Sequence, residues 1–257
     1  MTAIHRHDID SCAILTLDRP EVRNAMNADI VDALDAQLDA IATSDIRALI
    51  ITGGGKGFCA GTDLKEMLAL GYDGYQQRIA RMHSLFGRLR DFPCVSIAAI
   101  HGAALGGGTE LASACTFRVA TPDALFGLPE IRLGVMPCYG GTQTVARLIG
   151  ESRALDLMLT GRTVDAREAL AMGLVNRIAD DGQSAVEAAL ALAGQITGFS
   201  AVAQRAIRAA TAAAFDHDLA TGMAIERQQA AIAFASADAR EGVGAFLDKR
   251  PPRFTDR

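Results

Sequence analysis

Three short segments of this sequence combine glycines, a helix start and polar side chains in the way a site for a developing anion requires. Residues 56–65 (KGFCAGTDLK) follow an apolar run and lead into a helical pattern, so the backbone N–H groups around Thr62 fall at a helix start. Residues 104–111 (ALGGGTEL) repeat the arrangement, an apolar run feeding a helix through Gly106, Gly107 and Gly108. Glycines let a main chain approach a ligand closely, and the first amides of a helix, lacking an intrahelical acceptor, favour negative charge. Residues 126–130 (FGLPE) set the carboxylate of Glu130 in a Pro/Gly turn, and Glu110 supplies a second carboxylate.

Gly-rich turns have competing readings. The run Gly53-Gly54-Gly55-Lys56 suggests a phosphate loop, but Gly57 occupies the position where a Ser or Thr would hold Mg²⁺, so a nucleotide cradle fails. Gly106 and Gly108 begin a dinucleotide fingerprint, yet Leu111 stands where its last small residue belongs, which leaves a nicotinamide enzyme as a weak alternative. Any one of these segments alone reads as a tight turn with no ligand.

The elements that must position these groups follow from hydrophobic periodicity. Cys12–Leu17 (CAILTL) is a strand, Asn27 is a helix N-cap with Asp29 in the first turn, and Ile30, Leu34, Leu38 and Ile41 recur at helical spacing. Ala48–Ile51 and Cys94–Ile100 are buried strands, and Ile79, Met82, Phe86 and Leu89 mark a helix between them. Short apolar strands alternating with helices indicate an α/β arrangement. From about Ala185 only Ala-rich helical periodicity remains, through Val202, Ile207, Met223, Ile225, Ile232 and Phe246, with no linker before it.

Composition bounds the function. The 257 residues suit one large domain or one with an appendage, and half of them are hydrophobic, though aromatics are 5% and Trp is absent. A core of Ala, Val, Ile and Leu follows. A net charge of −5 argues against a nucleic-acid footprint. The first ten residues carry His5, Arg6, His7 and Asp8 in place of an apolar signal region, and no stretch approaches the length of a membrane span, so a cytoplasmic protein is expected. Cysteines 12, 59, 94, 115 and 138 are scattered without a CxxC, which suits a reducing compartment. No ligand cluster accompanies His5 and His7, so no metal is expected.

The order and spacing of seven segments resemble the enoyl-CoA hydratase/isomerase (crotonase) family over nearly the whole chain: LDRPEVRNAM (17–26), FCAGTDLKEM (58–67), HGAALGGGTELA (101–112), FGLPEIRLGVMP (126–137), GGTQ (140–143), LTGR (159–162) and FLDKRPPRF (246–254). The resemblance implies a ClpP/crotonase-like α/β spiral of repeated ββα units over residues 1–195. A C-terminal helical region at 196–257 would then mediate trimerisation, as a trimer or a dimer of trimers. It also implies a hydro-lyase of acyl-CoA and fatty-acid metabolism that adds water to a trans-2-enoyl-CoA. Coenzyme A would be part of the substrate, with no separate cofactor. By motif position the amides of Thr62 and Gly107 would face the thioester oxygen, where fixed donors are worth about 3–4 kcal/mol each. Glu110 and Glu130 would hold the water, Glu130 delivering the α-carbon proton.

Softer implications concern binding. Arg23, Asn24, Ala25 and Met26, then Ala60, Thr62, Asp63, Leu64 and Lys65, match segments that approach CoA. Phe246 and Lys249 match positions that reach CoA on a neighbouring subunit. His101 and Thr109 depart from the frequent Asn and Cys, and Cys138 and Tyr139 stand where many hydratases have small residues, so bulk there is expected to alter pocket depth or water placement. Cys59 and Cys138 lack an evident base and are not read as nucleophiles. Alternatives are an enoyl-CoA isomerase, another acyl-CoA reaction of the family such as hydrolysis or carnitinyl-CoA-type dehydration, and, in a different class, a non-catalytic RNA-binding member, which the sparse Arg content of residues 203–208 does not favour.

Overall fold

The computed structural model describes residues 3–256. In chain order the elements are β1 (Ile4–Ile9), β2 (Cys12–Leu17), α1 (Ala28–Ala42), β3 (Ala48–Gly53), α2 (Leu64–Ala69), α3 (Gly71–Arg90), β4 (Val95–Ile100), β5 (Ala103–Leu105), α4 (Gly107–Ala114), β6 (Phe117–Ala120) and β7 (Leu125–Gly127). There follow α5 (Gly141–Ile149), α6 (Glu151–Thr160), β8 (Thr163–Asp165), α7 (Ala166–Met172), β9 (Arg177–Ile178), α8 (Ala185–Gly194), α9 (Ala201–Asp216), α10 (Leu219–Ala235) and α11 (Ala237–Leu247). One compact unit ends at Ala193 and a second begins at Gly194.

The first unit turns strand, strand, helix around two sheets. A six-stranded sheet runs β1-β2-β3-β4-β6-β9, parallel throughout except for the β1–β2 hairpin, and a three-stranded sheet runs β5-β7-β8. Every residue of β3 and β4 is buried, as central parallel strands covered on both faces must be. Asn27 caps α1 by accepting the Ile30 N–H, and α1 turns Ile30, Val31, Leu34, Leu38 and Ile41 into the core. The apolar spacing that marks a helix near Ile79 covers only the buried face of α3, which begins at Gly71.

Two loops before the site are held by one side chain. Asn24, fully buried and left-handed at φ 57°, donates to the carbonyls of Gly54, Gly57 and Phe58 and accepts the Arg19 N–H. Its side chain thereby ties the 23–26 segment to residues 54–58. Arg78, also buried, donates to the Met26 carbonyl at 3.0 Å and ties α3 to the same loop.

The second unit is helical. Ser200, Asp218 and Ser236 cap α9, α10 and α11 through their side chains. No residue of α10 is buried, and Leu219, Met223 and Phe234 on it are exposed, as are Phe246 and Leu247 on α11. Several of the region's large apolar side chains are therefore exposed, while Val202 and Ile225 are half-buried. No helix among the described residues is long and apolar enough to cross a membrane.

Replacing Asn24 by Ala would remove the side-chain donor to the Gly54, Gly57 and Phe58 carbonyls. The expected cost is about 2–4 kcal/mol of stability, measured as a lowered denaturation midpoint against wild type.

Candidate active site

The two Gly-rich segments lie side by side because residues 59 and 104 pair as parallel strands: Cys59 N–H donates to Ala103 O at 3.1 Å and Leu105 N–H to Cys59 O at 3.0 Å. A second parallel bridge, Met26 with Thr62, fixes the other side of the 59–62 segment. The chain then leaves both segments for a helix, α2 capped by the Asp63 carboxylate and α4 starting at Gly107. The amides of Thr62 and Gly107 make no hydrogen bond among the described residues, and both residues line one cavity. Two amides without an acceptor among the described residues therefore belong to the lining of the same cavity.

Glu110 lies one turn into α4, all of whose residues are buried, and is itself 2% exposed. Its Oε1 accepts the N–H groups of Tyr139 and Gly141, each at 2.8 Å. Gly141 is the first residue of α5, so the carboxylate also meets the positive end of that helix. Burial nevertheless dominates and, with repulsion from Glu130, pushes Glu110 up to about 7, against the pull of the two amides.

Glu130 sits in the first turn of a short 3-10 helix, Pro129–Leu133, where a plain turn was expected. Burial raises its pKa too, its own amide opposing. Its Oε2 is buried with no partner among the described residues. Glycines make room for both acids. A Cβ on Gly106, at φ 52°, would sit 2.9 Å from Glu130 Oε1, and one on Gly141 would sit 2.8 Å from Glu110 Oε1.

The cavity is walled by Ala60, Thr62, Gly107, Glu110 and Glu130, with Leu64, Met67, Tyr75, Leu133, Val135, Met136 and Cys138 as an apolar side. Of the expected residues, Ala60, Thr62, Gly107, Glu110, Leu64, Glu130 and Cys138 therefore come together. Arg23, Ala25, Met26, Asp63 and Lys65 lie outside this wall. Met26 is 1% exposed and packs in the core, and Asp63 caps α2 while pairing with Arg19 at 3.1 Å. Phe246 and Lys249 belong to the second unit, both exposed.

The bulk at 138–139 divides. Cys138 lines the cavity with its Sγ 3.3 Å from the Tyr75 hydroxyl, whereas Tyr139 is buried with its ring edge-on to Phe86, centroids 6.4 Å apart. Cys59 is buried and its thiol is pushed to about 12, which removes it as a nucleophile. Thr109 holds the start of α4, its Oγ1 2.7 Å from Ala104 O and 2.9 Å from Gly127 O. Met67, Tyr75, Leu133, Val135 and Met136 were missed. Leu133, Val135 and Met136 stand in the quoted 126–137 motif and Met67 follows Leu64 by one helical turn, but nothing local marks Tyr75.

Comparison with known proteins gives concordant matches. The family model described as "Enoyl-CoA hydratase/isomerase" matches residues 8–257. A Mycobacterium bovis protein named "Probable enoyl-CoA hydratase echA8" is 43% identical over 246 residues, covering 95% of this chain and 94% of its own. The 2,3-dehydroadipyl-CoA hydratase of Escherichia coli is 39% identical over 95% of each chain. The crystal structure of an enoyl-CoA hydratase from Bacillus anthracis superposes with a TM-score of 0.94 at 33% identity, over 99% of this chain and 100% of that one.

The raised pKa makes Glu110 a stability liability. Its contribution is complete below pH 4.5 and is lost as pH rises through about 7, where the fold must bury a charge. Glu110→Gln keeps an acceptor for both amides and removes that charge. Thermal melts should show the variant more stable than wild type at pH 8, by about 1–3 kcal/mol, with the gap closing near pH 4.5.

Proposed function

This chain belongs to the enoyl-CoA hydratase/isomerase family of enzymes and has its crotonase fold, and on that premise we propose that it hydrates a trans-2-enoyl-CoA to a 3-hydroxyacyl-CoA. One observation carries the reading: two carboxylates of raised pKa share a cavity with two amides that have no acceptor. The thioester oxygen sits between the N–H groups of Thr62 and Gly107. Glu110 takes a proton from water as its oxygen bonds to the β-carbon, and the electron pair of the double bond moves onto the thioester as an enolate. Glu130 then gives its proton to the α-carbon on the same face. Proton and electron counts balance with no redox carrier. The Cys138 amide, which makes no hydrogen bond among the described residues, is free to hold the water. The apolar wall suits an uncharged acyl tail.

The decisive test replaces each acid. Gln is close in size to Glu but exchanges no proton at this pH. Glu110→Gln and Glu130→Gln should each lower hydration of crotonyl-CoA by about 10²–10⁴-fold, and the double variant should be little worse than the poorer single one. A pair that must hold one proton gives a bell-shaped kcat/KM profile, displaced above the range of ordinary glutamates because both groups are raised, with one limb near pH 7. Wild-type hydration after loss of Glu110 would overturn its role as the base, and efficient 3-enoyl to 2-enoyl isomerisation without it would replace hydratase by isomerase.

The same reading includes assembly. Leu219 (76% exposed), Phe234 (81%) and Phe246 (83%) leave apolar faces bare. A homotrimer or hexamer is expected by light scattering at micromolar concentration, and a monomeric mass would refute it.

A further inference from the structure

One contact reaches Glu110 from outside the cavity. His83, an exposed residue of α3, places its Nε2 2.8 Å from the carbonyl oxygen of Cys138. A carbonyl only accepts, so this nitrogen carries the hydrogen, which the neutral ring can supply without being charged. The peptide whose oxygen it meets is the one whose N–H, on Tyr139, donates to Glu110 Oε1 at 2.8 Å. The planar peptide unit is thus held at both ends, by His83 on one side and by Glu110 on the other. Hydrogen bonds in a chain also polarise one another, so donation to the oxygen strengthens the N–H as a donor. Cys138 is gripped a second time from the same helix, its Sγ 3.3 Å from the Tyr75 hydroxyl. His83 does not line the cavity, which separates its role from that of Tyr75.

We propose that His83 is a positioning residue for Glu110, fixing and polarising the 138–139 peptide so that its N–H holds the carboxylate in register with the substrate. The proposal rests on the hydratase reading for its kinetic consequence, while its effect on Glu110 is independent of any reaction. The Tyr139 N–H favours the ionised form of Glu110, so weakening it moves the protonation of that carboxyl to higher pH. The other titratable groups that bear on Glu110 are Glu130, Cys138 and Tyr75, and none is altered by a change at 83.

The test uses the intact protein with His83→Ala and His83→Gln, since the Gln side-chain amide presents an N–H at nearly the same reach. With crotonyl-CoA, His83→Ala should lower kcat by about 3- to 10-fold with KM within about twofold, and should move the limb near pH 7 upward. His83→Gln should restore both. In parallel, an infrared pH titration of the Glu110 carboxyl band, assigned by its loss in Glu110→Gln and recorded without substrate, should show the same upward shift in His83→Ala. Wild-type behaviour of His83→Ala in kinetics and titration would overturn the proposal. Impairment of His83→Gln equal to that of His83→Ala would also overturn it, pointing to packing alone. Absence of crotonyl-CoA turnover in the wild type would count against the hydratase reading instead, and the infrared titration would still decide the role of His83.

Discussion

The site depends on burying the Glu110 carboxylate in a helix with no exposed residue. Taking a carboxylate out of water is costly unless donors meet it, and here two main-chain amides do. The geometry around it follows from that need. The chain must return at residues 139–141 to bring those amides in, α5 must begin there, and residue 141 must lack a Cβ, because one would collide with the carboxylate. The compensation is incomplete, and the remaining penalty is what lifts the group to about 7, into the range where it exchanges a proton under mild conditions.

A second constraint concerns amides left without acceptors. The Thr62 and Gly107 amides have no acceptor among the described residues, and both residues line the cavity. The parallel pairing of residues 59 and 104, the bridge from Met26 to Thr62 and the three carbonyls gathered by Asn24 hold these segments rigid with the donors unspent. Under the proposed hydratase reading this rigidity has a use, since donors that need no reorganisation stabilise a developing oxyanion most effectively.

Segments far from the reacting atoms set the site's precision. α3 touches the 138–141 strap twice, through Tyr75 and His83, and also carries Arg78 to the Met26 carbonyl. One helix therefore braces both the acid side and the amide side of the cavity.

Several first-unit elements were legible in the sequence, since Cys12–Leu17, Asn27 as a cap and the Ile30–Ile41 stripe are local patterns of hydrophobicity and hydrogen bonding. It also determined the glycine-flanked acids Glu110 and Glu130 and the two helix starts, because glycine and carboxylate signals are local too. Tertiary structure alone decided which neighbours those groups acquire. Asn24, Met26 and Asp63 lie in segments that match ligand-approaching motifs, and nothing local shows that Asn24 gathers carbonyls, Met26 packs in the core and Asp63 caps a helix. Tyr139 looked like bulk in the pocket and instead turns its ring to Phe86. Tyr75 and His83 carried no signal, because they act on Cys138 across more than fifty residues of chain. Local chemistry sets what a residue is able to do, and packing between distant segments sets what it meets.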